Sequence, residues 1–123
     1  MKSLLSMIAI LLLSANTLFA QFKNSKTETV KVYGNCEMCK AKVEKAGTQK
    51  NISKTVWSEE THMATITFDS KKTSTNAILK KIALAGYDSD NFSAPDAVYK
   101  KLPGCCKYER VKKPEAKTVE TIK

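Results

Sequence analysis

The stretch Thr27-Glu28-Thr29-Val30-Lys31-Val32-Tyr33-Gly34-Asn35-Cys36-Glu37-Met38-Cys39-Lys40-Ala41-Lys42-Val43-Glu44-Lys45-Ala46-Gly47 decides how the rest of the chain is read. Thr29, Lys31 and Tyr33 alternate with Val30 and Val32, the two-residue period of a strand with one buried face. Gly34 and Asn35 break that period. Cys39, Val43 and Ala46 then follow at helical spacing with lysines and Glu44 around them, which predicts an amphipathic helix over about 37–47, ended by Gly47. Two thiols three residues apart therefore stand where a strand hands over to a helix. Cys36 belongs to the loop and Cys39 to the first helical turn, so both sulfurs can address one ion outside the helix N-terminus. The dipole and free N–H groups there favour thiolate, the form that binds metal or attacks a disulfide.

The pattern continues outward from that stretch. Ile52–Ser58 and Met63–Phe68 read as strands joined by the turn Glu59-Glu60-Thr61-His62, with Ala64, Ile66 and Phe68 on one face. A second helix starts near Ser74, buries Ile78, Ile82 and Ala85, and stops at Gly86. A short final strand within residues 87–93 would complete βαββαβ, so the expected fold is α+β, a ferredoxin-like sandwich spanning 27–93. Pro95 suits a first helical position, and Asp96–Leu102 reads as a short helix stopped by Pro103-Gly104. The adjacent pair Cys105-Cys106 follows at once in this extension, 94–106.

Strand, Gly-Asn-Cys36-x-x-Cys39, helix, hairpin and the Ala85-Gly86-Tyr87 turn together resemble the heavy-metal-associated (HMA) domain of copper chaperones, mercury-binding periplasmic proteins and the N-terminal modules of metal-transporting ATPases. The resemblance covers about residues 27–93. It implies a soft-metal carrier in which Cys36 and Cys39 are the ligands, with a metal-transporting ATPase or another metal-accepting protein as partner. The family usually has Met two residues before the first Cys, packed under the metal loop, and this chain has Gly34 there. It also usually ends after its fourth strand, whereas this chain runs on to Cys105 and Cys106. Tyr87 would lie at the metal end, either shielding the site as in some family members or packing in the core.

Ligand chemistry orders the ions. Two thiolates with no imidazole nearby suit Cu(I) first; Hg(II) and Cd(II) are alternatives, and Zn(II) would need further ligands. Cys105 or Cys106 could supply them. A final strand of about 20 Å leads away from the site, a two-turn helix returns about 12 Å and two extended residues add about 7 Å, so the chain is long enough. A separate site, or a disulfide, is the other fate of that pair; bridging between adjacent cysteines is strained. Met38 is a solvent-facing or packed residue, with a thioether ligand as the alternative. His62 reads as a solvated turn residue and Trp57 as core.

Length and composition set the frame. The chain has 123 residues, 42% hydrophobic and 27% charged, and four cysteines. That is one soluble domain of ordinary size. Met1-Lys2 followed by the apolar run Leu4–Leu13 and by Leu18-Phe19-Ala20 reads as a signal peptide over 1–20, cleaved after Ala20, with 21–26 as a linker. The run is short for a membrane span, which needs about 20 residues, so no stable insertion is expected after cleavage and the expected location is periplasmic. Export changes the formal charge from +9 to +8. Residues 107–123 hold six basic and three acidic side chains, predicting a solvated, disordered tail with no nucleic-acid role. Hydrolysis and phosphoryl transfer have no candidate machinery: there is no Ser/His/Asp set, no paired-carboxylate site and no phosphate-binding glycine loop. The two competing functions are a thiol–disulfide oxidoreductase using Cys36 as nucleophile and Cys39 to resolve, and an interaction domain stapled by disulfides.

Overall fold

The structure is a computed structural model, which describes residues 22–111 and 117–119. The predicted signal peptide lies outside these residues, and among them no helix is long and apolar enough to cross a membrane. The element order is β1 (Ser25–Lys31), α1 (Glu37–Gly47), β2 (Ser53–Trp57), β3 (Met63–Asp69), α2 (Thr75–Leu84), β4 (Phe92–Ser93), α3 (Asp96–Lys100), a 3-10 turn (Gly104–Cys106) and β5 (Lys117–Thr118). β1, β3 and β2 form an antiparallel sheet in that order. β1 begins inside the stretch expected as a linker.

Alternation sets which way the sheet faces. Ala64, Ile66 and Phe68 of β3 are buried while Thr65 faces out, as the two-residue period requires. β2 buries Ser53, Thr55 and Trp57 and leaves Val56 exposed, so its inner face is largely polar. The two hydroxyls are satisfied by donating to the Gly47 carbonyl, at 3.0 Å from Ser53 and 2.8 Å from Thr55. α1 thus ends against β2 through its last carbonyl. A Cβ on Gly47 would stand 2.2 Å from Thr55 Oγ1, so only glycine permits this approach. α2 is capped by Ser74, whose hydroxyl accepts from Ala77 N at 3.2 Å, and it buries Ile78, Leu79, Ile82 and Ala83. Ala85 sits at its C-cap, half-buried.

The sixth element departs from expectation. A short strand does fall within 87–93, as β4, but it does not join the main sheet; there a single bridge joins Ser89 to Val32, with Tyr33 N donating to Asp88 O at 2.8 Å. β4 leaves the main sheet and pairs in parallel with β5. The cause lies in Asp88, whose carboxylate accepts from Ala94 N at 2.6 Å and from Arg110 at 2.9 Å through both Nε and Nη2. A loop folded around that carboxylate cannot run straight along β1.

The expected disordered tail is likewise corrected at its start and at residues 117–119. Tyr108 is 2% exposed; its hydroxyl donates to Gly86 O and accepts from Asp88 N, both at 2.8 Å. Its ring stacks on Tyr87 at 5.9 Å and meets Tyr99 edge-on at 5.2 Å. Arg110 adds Asp96 at 2.6 Å and the Ala94 carbonyl at 2.7 Å. Leu102 packs on Gly86, whose φ of +109° belongs to glycine. The extension is thereby strapped over the end of α2.

Candidate metal centre

Cys36 is the N-cap of α1, a position that usually takes Ser, Thr, Asp or Asn. Its extended backbone (φ −137°, ψ 177°) lets the chain turn from loop into helix. No hydroxyl or carboxylate closes the helix end; the Cys39 and Met38 N–H groups face the Cys36 sulfur instead and hold its thiol below the ordinary cysteine range. Cys39, three residues on, is fully buried, and that burial pushes its thiol up. The helix N-terminus therefore does not favour thiolate equally at both sulfurs, because loss of water outweighs it at Cys39. The two sulfurs are 3.6 Å apart.

The strapped extension delivers a third sulfur. Cys36, Cys39 and Cys106 have their Sγ atoms all within 4.8 Å of one another. At a metal–sulfur distance of about 2.3 Å, a trigonal three-thiolate site needs sulfurs about 4 Å apart, so small adjustments close this triangle on one ion. All four cysteines are free thiols. Cys105 lies outside this triangle, though its carbonyl meets Cys36 Sγ at 3.5 Å. Its side chain is exposed and its Sγ lies 3.7 Å from Met38 Sδ and 3.8 Å from Cys106 Sγ.

The surrounding shell is apolar and aromatic. Tyr87 is fully buried and its hydroxyl lacks a geometrically sound hydrogen-bond partner. Burial drives its phenol far above the ordinary range, with Cys106 and Cys39 beside it adding to the rise. Tyr87 is thus a core ring lying beside the sulfurs of Cys106 and Cys39. At Gly34 the space beside the loop is taken by Trp57, whose ring atoms would lie 3.1 Å and 3.2 Å from a Cβ there; Cys39 Cβ would be at 3.2 Å. The indole is pinned by donating Nε1–H to Val32 O at 2.8 Å. Trp57 thus supports the loop at the place where the resemblance puts a methionine. His62 is no ligand in this cluster; it stacks on Trp57 with centroids 5.6 Å apart and planes 2° from parallel. Lys40 is bound to Glu44 at 2.7 Å and to the Trp57 carbonyl at 2.8 Å, which ties α1 to β2.

Tyr108, Arg110 and Asp88 were not among the expected functional residues, yet they hold Cys106 in place. The available signal was an aromatic residue, Tyr108, two positions after Cys106 in an otherwise charged stretch.

No family model matches the chain, and no curated protein matches it. Among solved structures, a CopZ metallochaperone is similar at 24% identity with a TM-score of 0.49, over 52% of this chain and 98% of that one.

Proposed function

We propose that this chain is a carrier of a soft metal ion, Cu(I) before Hg(II), Cd(II) or Zn(II), held by Cys36, Cys39 and Cys106. The observation that carries the reading is the triangle of three free sulfurs within 4.8 Å at a strand-to-helix loop. Soft thiolates select Cu(I) and need no fourth ligand for it. The element order, with its fourth strand short and set outside the main sheet, supports a ferredoxin-like reading of the scaffold. The ion would pass to an accepting protein, a metal-transporting ATPase among the candidates, by exchange of one thiolate at a time. Half-exposed Cys36 is the sulfur an incoming ligand reaches first. Its role is transport or sequestration, without substrate chemistry. Residues 1–20 support export to the periplasm as the setting.

The experiment is a Cu(I) titration of the reduced protein against a chromophoric competitor. Replacing Cys36 and Cys39 together by Ser is expected to weaken binding by more than about a hundredfold, beyond the loss typical of an outer-shell change. Unchanged affinity in that variant would overturn the reading. A second function, thiol–disulfide exchange, is favoured by one observation: the low-pKa thiol of Cys36 beside a buried Cys39 at 3.6 Å. Insulin reduction at a catalytic rate would establish it; a carrier shows none.

A further inference from the structure

One sulfur contact is left over from the triangle. Met38 is 49% exposed, and its Sδ lies 3.7 Å from Cys105 Sγ. Met38 projects from the first turn of α1, while Cys105 comes from the 3-10 turn, 67 residues later in sequence. A thioether and a thiol from distant segments thus converge at the surface. That separation lies within the span of about 4.6 Å that two sulfurs, each about 2.3 Å from one ion, can have, so both can reach a single ion. Neither group is needed by the inner triangle, whose sulfurs come from Cys36, Cys39 and Cys106.

The pair's chemistry narrows its ligand. Thioether sulfur is uncharged and soft; with thiolate it selects Cu(I), whereas hard cations prefer oxygen ligands. Resting on the reading of the inner site as a metal centre, we propose that Cys105 and Met38 form a second, surface site for one Cu(I) ion, distinct from the inner one. Binding replaces the Cys105 thiol proton with the cation and releases the proton to solvent; no electron moves. The outer site is linked to the inner one through Cys106, whose Sγ is 3.8 Å from that of Cys105. The sulfurs from Met38 to Cys106 therefore form a continuous line from solvent to the buried ligands.

Native mass spectrometry of the reduced chain, loaded anaerobically with Cu(I) and resolved as monomer, counts the ions directly. Two per wild-type chain are expected. Cys105→Ser and Met38→Leu, both at exposed positions, should each lose the second ion and keep the first. One ion per wild-type chain, or a second ion retained in both variants, would overturn the outer site while leaving the inner one standing. Loss of both ions in Cys105→Ser would also overturn it, by placing Cys105 among the inner ligands. A wild-type chain that takes up no Cu(I) would remove the inner site, and this proposal with it.

Discussion

The two cysteine pairs are built alike and assembled differently. Each sets one buried sulfur, Cys39 or Cys106, beside one more accessible sulfur, Cys36 or Cys105. The first pair is placed by local structure: an N-cap and the third residue of the same helix fix both sulfurs within four residues of chain. The second pair is placed by tertiary contacts, since Cys106 reaches the triangle only because Leu102, Tyr108 and Arg110 lock the extension onto Gly86 and Asp88. Local geometry places two of the sulfurs; long-range packing supplies the third. The proposed metal centre should therefore fail in two separable ways.

The largest stability effect is expected from breaking the strap. Arg110 joins Asp88 through two hydrogen bonds of 2.9 Å, and the Asp88 side chain is 5% exposed. Arg110→Ala leaves that carboxylate buried without its partner, a situation that costs about 3 kcal/mol. Urea unfolding should show that loss, and Cu(I) affinity should fall to the level of Cys106→Ser, because the third sulfur loses its anchor. Affinity that stays at the wild-type level would mean that the extension holds Cys106 without Arg110.

A chemical comparison of the pairs comes next. In the reduced protein, iodoacetamide followed by peptide mapping should label Cys36 and Cys105 and spare Cys39 and Cys106. Cys36 should keep reacting as pH falls below the ordinary thiol range, because the Cys39 and Met38 N–H groups stabilise its thiolate. With a folded pKa below the unfolded one, that thiolate's contribution to stability is complete above the unfolded value and disappears as pH drops through the folded value. Equal labelling of all four thiols would contradict the burial pattern.

The smallest effect serves as a control. Ser74→Ala removes the α2 cap, far from either sulfur pair in the element order, and should cost about 1 kcal/mol with no change in Cu(I) affinity. A change in affinity would mean that the sulfur sites feel stability in general and not their own supports.

The contrast between the pairs also explains what the sequence disclosed. β1, α1, the hairpin and α2 follow from periods of two and of 3.6 residues, from Ser74 and from Gly86, and each of these is a local signal. Where the fourth strand pairs is not such a signal: residues 87–93 do hold a short strand, but Asp88 turns the loop toward Ala94 and Arg110, a partner 22 residues away, and the strand joins β5 instead of the main sheet. Residues 107–111 read as solvated because their charges dominate, and only contacts with Tyr87, Gly86 and Asp88 make Tyr108 a core residue. For Cys106 the chain length allowed reach but could not choose between it and Cys105. That choice is made by the 3-10 turn, which buries Cys106 and leaves Cys105 exposed.

The central claim is that the ion is held by three sulfurs, one of them from the extension. X-ray absorption at the copper edge, on reduced protein carrying one equivalent of Cu(I), measures the number of sulfurs directly. Three sulfur neighbours in wild type, falling to two in Cys106→Ser and remaining three in Cys105→Ser, is the expected result. Two neighbours in wild type, unchanged in Cys106→Ser, would contradict it.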